Sequence, residues 1–247
     1  MTGLRRLKRQ RIHEAISAAA ISLFLERGFD EVSVAEVAAA AEVSKPTLFK
    51  YFATKEDLVL HRIADHQGEA ARVVRQRASG VDPLTALHHH FLDGLARRDP
   101  VTGLNDHEEV IGYHRMVFST PSLAARLFHH MSMDEEALAD ALREATDDLT
   151  ARVLAGQVIA VQRVLARRNW SAIAEGTSTE KPSTGETSTG VVSTGVVSTG
   201  ETGAEGTGTE RASAGTTSAD EVYPSAVAAA DRAFALLRDG IKDVVWT

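Results

Sequence analysis

Cationic and hydroxyl side chains are concentrated between residues 44 and 51, and their chemistry suits DNA. Lysine can donate hydrogen bonds to phosphate oxygens and to guanine, and hydroxyl groups can bond to phosphates and bases. Leu48 and Phe52 are four residues apart, so on a helix they share a buried face and leave the other faces to polar side chains. The side chains left available for DNA are Lys45, Thr47, Lys50 and Tyr51.

Two short helices joined by a tight turn are predicted to position these side chains. Ser33 and Glu36 fit the S-x-x-E capping box, which predicts that a helix begins at the next residue after the serine. Ser44 can cap a second helix over about 45–52, and Pro46 falls in its first turn, where amides have no intrahelical partner. The pattern therefore predicts a helix-turn-helix.

A longer helix is predicted upstream, because Ile12, Ile16, Ala19 and Leu23 recur at helical spacing and Gly28 stands where a C-cap belongs. After it come Gly-Phe, Ser-Val-x-x-Val-Ala and Val-Ser-x-x-Thr-Leu-Phe-x-Tyr-Phe-x-x-Lys-Glu-x-Leu. This order resembles the TetR family of bacterial transcriptional regulators over roughly the first 60 residues. The alternative is an ordinary helical hairpin whose lysines are only solvated.

The resemblance implies a role for each matching residue. Ser33 and Lys55 would contact phosphates at helix N-termini. The positions that would face the major groove are Lys45, Pro46, Thr47 and Lys50. Tyr51 would hold the DNA backbone, whereas Phe49 replaces a common tyrosine and is expected to pack only. The cap residue Ser44 completes the predicted DNA-binding set.

The resemblance also implies an assembly and a mode of regulation. In the family, the last two helices of each subunit form a four-helix interface, and the homodimer sets two recognition helices about 34 Å apart on a palindromic operator. A small-molecule effector would shift the dimer away from that spacing and relieve repression. We therefore predict a ligand-responsive repressor of double-stranded DNA operators that uses no cofactor; the residues alone leave an activator equally open.

Charge is distributed unevenly along the chain, whose formal net charge is −7. Residues 1–77 carry 13 Lys and Arg against 10 Asp and Glu, whereas the remainder carries 14 against 24. A basic run within the first part could follow a phosphate backbone or enter a minor groove as a flexible arm, and a solvated basic terminus is the alternative. The run consists of Arg5, Arg6, Lys8, Arg9 and Arg11.

The chain is expected to work in the cytoplasm, away from membranes. The uncharged run Ala15 to Leu25 is helix-periodic and has no small-x-small cleavage site after it, which argues against a signal peptide. No run approaches the roughly 18 apolar residues of a membrane span. The absence of cysteine excludes disulfides and thiolate metal sites.

Helical periodicity continues beyond the motif, and the predicted fold is all-α. The expected later helices cover about 55–77, 83–98, 105–119, 121–146 and 149–170. We predict a helix-turn-helix DNA-binding domain over 1–54 and a helical effector-binding and dimerisation domain over 55–247.

Two late segments carry apolar seams at coiled-coil spacing, and these are the predicted dimer interface. Their residues are Leu154, Val158, Val161, Leu165, Val227, Ala230, Phe234, Leu237 and Ile241. The alternative is that the seams form the core of a single subunit.

A low-complexity insert of Gly, Thr, Ser and Glu separates these seams at about 176–218. Four pentapeptides, STGET, STGVV, STGVV and STGET, fill residues 183–202, which favours a passive disordered linker. The alternative is that Val191-Val192 and Val196-Val197 nucleate strands.

Large or adaptable apolar residues in the second domain are candidates for an effector pocket, with a histidine as a polar handle. They are Phe91, Leu95, His114, Met116, Phe118, Phe128, Met131 and Trp170. For each of them a plain core position is the alternative.

The second domain is rich in histidine, which raises a different functional class. A helical adaptor or a metal-dependent enzyme could use His88, His89, His90, His107, His114, His129 and His130. Neighbouring histidines on a helix point in different directions, and the sequence has no H-E-x-x-H or G-x-S-x-G motif. We therefore predict no catalytic residues and no metal site.

Overall fold

The computed structural model describes residues 2–64, 66–175 and 217–240, and all of its regular elements are helical in that part of the chain. The N-terminal helices are α1 (Thr2–Arg27), α2 (Val34–Ala40), α3 (Lys45–Phe49), α4 (Asp57–Ala64) and α5 (Glu69–Gln76). The later ones are α6 (Pro83–Ala96), a 3₁₀ turn (Pro100–Thr102), α7 (Glu108–Ser119), α8 (Pro121–Leu142), α9 (Asp148–Glu175) and α10 (Ala219–Gly240). The predicted all-α class is confirmed.

The predicted helix starts are confirmed where a cap residue defines them. The capping box of Ser33 and Glu36 begins α2, and the side chain of Ser44 accepts a hydrogen bond from the amide of Thr47 to begin α3. The helix is shorter than the predicted 45–52, because the chain leaves it in a turn after Phe49.

The predicted continuous helix over 55–77 is wrong, because the chain breaks between α4 and α5. Gly68 adopts a left-handed conformation with φ +71°, which interrupts a right-handed helix. Its amide donates a hydrogen bond of 2.7 Å to Oδ1 of Asp134 on α8. A side chain distant in sequence therefore satisfies the backbone at this break.

One hydrophobic core joins the helix-turn-helix to the helices beyond it. Phe24, Leu48 and Phe52 are buried together with Tyr113 of α7 and Leu123 of α8. The core thus continues past the domain boundary predicted at residue 54, and α1 to α4 are fixed on the second half of the molecule.

A second core lies between α5, α6, α8, α9 and α10, and it contains the seams predicted to form a dimer. The buried seam residues are Leu154, Val158, Leu165, Ala230, Phe234 and Leu237. Val161 and Val227 are partly buried against the same core, and Ile241 lies outside the described residues. The six buried side chains face the interior of one subunit, so the interface predicted for them is wrong and core packing accounts for them. For Val161, Val227 and Ile241 the interface stays a prediction.

Helix α9 is unusually apolar for its length. Over Asp148–Ala174 it is, by length and composition alone, the one helix in the described part that could cross a membrane. One face, with Leu154, Val158 and Leu165, is buried against neighbouring helices.

The low-complexity insert lies outside the described residues between Glu175 and position 217.

Candidate nucleic-acid interface

Helix α3 has one buried face and one exposed face. Leu48 and Phe52 anchor it in the N-terminal core. The exposed residues are Ser44, Lys45, Pro46, Phe49 and Lys50. Four predicted DNA contacts and the neighbouring Phe49 therefore share one solvent-facing surface, because Leu48 and Phe52 turn the opposite face inward.

Phe49 was expected only to pack, and this expectation is wrong. Its side chain is 44% exposed, because the buried positions of this short helix are already taken by Leu48 and Phe52. An exposed aromatic ring between Lys45 and Lys50 adds apolar surface that could meet a thymine methyl group. The residue type alone, which is usually buried, gave no signal of this position.

Thr47 is held by the cap of its own helix. The hydroxyl groups of Ser44 and Thr47 lie 2.8 Å apart, and the amide of Thr47 donates to the Ser44 hydroxyl at 3.2 Å. Each hydroxyl keeps a further lone pair, so Thr47 can accept or relay a bond at the edge of the exposed surface. The structure shows the Ser44 hydroxyl as the N-cap of α3, so a contact to DNA would be an additional role.

Ser33 is exposed at the start of α2, beside a carboxylate. Oε2 of Glu36 accepts a hydrogen bond of 2.8 Å from the Ser33 amide, and Oε1 lies 2.7 Å from Arg27. The backbone bond from Ser33, the Ser33 hydroxyl and Arg27 together lower the pKa of Glu36 to about 2. The Glu36 carboxylate therefore already uses the Ser33 amide, one of the helix N-terminal donors on which the predicted phosphate contact relies.

Lys55 does not point freely into solvent. Its Nζ donates to the carbonyl oxygen of Phe29 and lies 4.3 Å from the centre of the Phe29 ring. Helix α4 begins two residues later, after a reciprocal cap between Thr54 and Asp57 with both bonds at 3.1 Å. Lys55 thus ties the loop after α1 to the start of α4, and any phosphate contact would share an ammonium group already in use.

Tyr51 lies at the exit of α3 against the first helix. The Arg9 guanidinium lies 5.9 Å from its ring centre, and the His13 ring lies 6.5 Å away. An open groove is lined by Arg6, Arg9, Gln10, His13 and Tyr51.

Of the interpretations left open for the basic run, the flexible arm does not hold, because the run belongs to α1, which begins at Thr2. Leucine, arginine, lysine and glutamine all favour helix, so the run extends α1 instead of fraying from it. Arg6, Lys8, Arg9 and Arg11 are exposed on this helix.

The eight predicted effector contacts do not meet at one place. Phe91 and Leu95 are buried in the second core, and Met116 is buried in the first. Phe128 is exposed on α8 and Met131 is half-buried there. Residue type identified large apolar side chains, but it could not separate core positions from a pocket lining.

Three of the eight, His114, Phe118 and Trp170, do form one cluster between α7 and α9. The rings of Phe118 and Trp170 lie 6.0 Å apart, and those of His114 and Phe118 lie 6.3 Å apart. Burial lowers the pKa of His114 to about 4, so its imidazole is neutral at physiological pH. The buried indole N–H of Trp170 has no hydrogen-bond partner in the described part of the chain.

Helix α7 of this cluster and the neighbouring helix α8 both contact α4 directly. Tyr113, beside His114 on α7, donates from its buried hydroxyl to the carbonyl oxygen of Val59 at 2.9 Å. Arg126 of α8 lies 3.0 Å from Oδ1 of Asp57, whose other oxygen caps α4. A shift of α7 or α8 would therefore act directly on α4.

The histidines of the second domain serve several separate contacts. His66 and His90 both lie against Glu69, at 2.7 and 3.1 Å, and His88 lies 2.9 Å from Asp231. Within the described ranges, no group of three or more His, Asp or Glu side chains is placed to hold a metal ion.

The chain is similar to known bacterial regulatory proteins. Residues 16–61 match the family described as bacterial regulatory proteins, tetR family. The chain is 32% identical over 171 residues to the HTH-type transcriptional regulator TcmR of Streptomyces glaucescens, covering 67% of this chain and 76% of that protein. It is 44% identical over 48 residues to the uncharacterized HTH-type transcriptional regulator YdeS of Bacillus subtilis (strain 168), covering 19% and 24%.

Solved structures align with the chain at lower identity. Salmonella enterica GusR aligns with a TM-score of 0.46 and 19% identity, covering 65% of this chain and 84% of that one. The similarity to TcmR spans 171 residues and so extends well beyond the helix-turn-helix into the second domain.

Proposed function

The chain belongs to the TetR family of bacterial regulatory proteins and is a DNA-binding transcriptional regulator, and from this premise we propose that it is a homodimeric, ligand-responsive repressor. The observation that carries the proposal is the exposed face of α3. Its side chains are exposed and do not belong to the core; they are Lys45, Pro46, Phe49 and Lys50. A dimer bound to a palindromic operator blocks transcription by occupying the site, so repression needs no surface that contacts RNA polymerase.

Base contacts are assigned to the exposed face of α3. Lys45 and Lys50 would donate to base edges or adjacent phosphates, and Pro46 and Phe49 would supply apolar contact. Thr47, at the edge of the face, and Tyr51, at the exit of the helix, would hold the backbone. Ser33 and Lys55, engaged in the contacts described above, would act mainly by fixing α2 and α4.

The homodimer is assigned to the outer face of α9 together with α10. Leu149, Val153 and Val164 of α9 and Leu236 of α10 are between 48% and 71% exposed. Ala160 continues the α9 stripe with a small side chain, which lets a partner helix approach closely. This stripe lies on the side of α9 opposite the buried seam, so it is the surface that a second copy would cover.

The effector is assigned to the cluster of His114, Phe118 and Trp170. Aromatic faces suit a planar apolar ligand, and the neutral imidazole and the unpartnered indole N–H supply polar handles. A ligand that displaces α7 would disturb the Tyr113–Val59 bond and hence the position of α4. By thermodynamic reciprocity, operator DNA would weaken effector binding by the same factor.

The test is selection of bound sequences from a random duplex library by the purified full-length protein at near-physiological salt. The proposal expects an enriched inverted repeat whose half-sites are about 10 base pairs apart, or a multiple of one helical turn. Loss of all enrichment with a folded, dimeric protein would overturn DNA recognition. An operator affinity with no dependence on salt would point to an adaptor in which the cations do not meet phosphate.

Repression needs a second assay in cells. A reporter placed behind the selected operator should be silent when the protein is expressed and active when the Lys50→Ala variant replaces it. Higher reporter output with the wild-type protein than without it would identify an activator and contradict the proposed repression.

A further inference from the structure

The aromatic cluster between α7 and α9 has an edge that faces solvent. Phe118 is 38% exposed and Trp170 is half-buried, whereas Tyr113, five residues earlier on α7, is buried. The Phe118 ring lies 6.0 Å from the Trp170 ring and 6.3 Å from the His114 ring, measured between ring centres. The cluster is therefore not a closed part of either core, and a molecule in solution can reach its aromatic faces.

Arg167 of α9 stands at this exposed edge. Its guanidinium carbon lies 5.7 Å from the centre of the Phe118 ring, and the residue is exposed. Arg167 and Trp170 are three residues apart, so both approach Phe118 from neighbouring positions on one helix. Arg167 also follows Val164, the last residue of the exposed apolar stripe of α9, by one turn. A charge thus replaces apolar surface where the helix reaches the cluster.

The charge of Arg167 is available to a ligand. No ion pair in the described residues engages it, whereas Arg152 on the same helix is held by Asp148 at 3.1 Å. Arg168 donates to the carbonyl oxygen of Ser225 at 3.3 Å. A guanidinium beside an aromatic ring still offers N–H donors at its edge, and these match the two oxygens of a carboxylate.

Both helices of the cluster carry positive charge in this region. Between Leu149 and Ala174, α9 contains four arginines and no acidic residue. Residues 113–119 of α7 likewise contain Arg115 and no acidic residue. Positive charge without compensating acids on the supporting helices raises the local concentration of anions. The aromatic faces attract a flat apolar group, so together they favour a molecule that has a flat ring and a negative charge.

The inner side of the cluster differs from its rim. Burial lowers the pKa of His114 to about 4, so the imidazole adds no positive charge near neutral pH. The buried indole N–H of Trp170 has no partner in the described part of the chain and suits an acceptor on a ligand. An anion bound at the exposed Arg167 loses less hydration than one bound at a buried site. The charged end of a ligand is therefore expected at the rim.

We propose that the effector is an aromatic acid, whose flat ring lies against Phe118 and Trp170 and whose carboxylate is bound by Arg167. This inference rests on the effector site assigned above and adds to it the chemical class of the ligand and the residue that selects that class. A carboxylate accepts stronger hydrogen bonds from a guanidinium than a neutral amide of the same shape does. Arg167 thus discriminates by charge, and the aromatic cluster discriminates by shape.

The first experiment compares 2-naphthoate with 2-naphthamide, which share one ring system and differ in charge at neutral pH. Calorimetric titration of the full-length protein should show that naphthoate binds about tenfold more tightly, because the charged hydrogen bonds are stronger. In Arg167→Gln the affinity for naphthoate should fall to that for naphthamide, which should not change. Arg163→Gln is the matched control, because Arg163 is exposed one turn earlier on α9 and makes none of the described ring contacts.

The second experiment locates the bound probe. The chain has two tryptophans, Trp170 and Trp246, so the Trp246→Phe variant leaves one indole N–H signal in a ¹⁵N nuclear magnetic resonance spectrum. Both probes should shift the Trp170 signal at saturation. This shift separates binding at the cluster from loose association of naphthoate with arginines elsewhere.

The third experiment tests whether binding at the cluster regulates the protein. Naphthoate should weaken binding of the selected operator by the wild-type protein and by Arg163→Gln over the same range of concentration. Arg167→Gln should need about tenfold more naphthoate for the same effect, in proportion to its lost affinity.

Equal affinities of the wild-type protein for the two probes, or equal losses in Arg167→Gln and Arg163→Gln, would overturn the acid class. A shifted Trp170 signal would in that case still support the effector site. If neither probe shifts the Trp170 signal, the effector site is wrong and the inference fails with it. Naphthoate binding at Trp170 that leaves operator affinity unchanged would overturn the assignment of an aromatic acid as effector.

Discussion

The exposed face of α3 and the exposed face of α9 present opposite chemistries. Around α3, charged lysines accompany Pro46 and Phe49, whereas α9 exposes Leu149, Val153 and Val164. Lysines remain hydrated in the free protein and exchange counterions when DNA arrives. Exposed aliphatic side chains gain free energy only when another apolar surface removes them from water. The first face therefore suits a polyanion, and the second suits another copy of the chain.

The buried faces of the same two helices are alike, and this is where their sequence patterns mislead. In α3 the pair Leu48 and Phe52 packs into a core, and in α9 Leu154, Val158 and Leu165 do the same. A regular apolar spacing shows that one face of a helix is covered, but it does not show whether the same subunit or a partner covers it.

The largest expected effect separates the two faces of α3. Leu48→Ala removes a fully buried side chain, and we expect it to lower the free energy of unfolding by about 2–5 kcal/mol. Phe49→Ala, its exposed neighbour, should change that free energy by less than about 0.5 kcal/mol. Denaturant unfolding measures both values, and similar losses for the two variants would refute the assigned faces.

The next effect concerns the outer face of α9. The double variant Val153→Asp, Val164→Asp should convert the dimer to a monomer and reduce operator affinity at least tenfold, or about 1.4 kcal/mol, because charge is placed inside the proposed interface. Sedimentation and a duplex-binding titration measure the two changes. Val101→Asp, at a residue 50% exposed on the 3₁₀ turn, is the control. A dimer that survives the double change would require another interface.

The smallest expected effect is an acid dependence at the start of α2. The pKa of Glu36 is lowered from 4.5 to about 2, so the stability that this carboxylate contributes is present above its unfolded pKa and is lost as pH falls through the folded one. Between about pH 4.5 and 2, wild-type stability should therefore fall more steeply than that of Glu36→Gln. Thermal unfolding across this range measures the difference.

The same substitution at Glu31, which takes no part in the capping box, provides a matched loss of charge. If Glu36→Gln and wild type lose stability in parallel as the pH falls, the capping carboxylate does not contribute in the way described.

Local signals in the sequence predicted the recognition motif well. Capping residues act on amides within three positions, so Ser33 and Ser44 mark the starts of helices whose caps the structure contains. The apolar pair Leu48 and Phe52 likewise fixed the buried face of α3. These features depend on neighbours close in the chain, which a sequence displays directly.

Features set by distant residues were not predictable in the same way. The break at Gly68 is completed by Asp134, and Lys55 is held by the carbonyl of Phe29. The effector cluster needs α7 and α9 side by side to bring Phe118 against Trp170. Each depends on the tertiary arrangement, which residue type and spacing do not specify.

The central claim is that the exposed face of α3 contacts bases, and repeating the sequence selection with Lys50→Ala tests it most directly. Lysine at this face is assigned a base or base-adjacent contact worth about 1–3 kcal/mol at its position. The account predicts that the variant keeps the inverted repeat but loses preference at one symmetric pair of base positions. An unchanged preference at every position, with Lys45→Ala giving the same result, would contradict it.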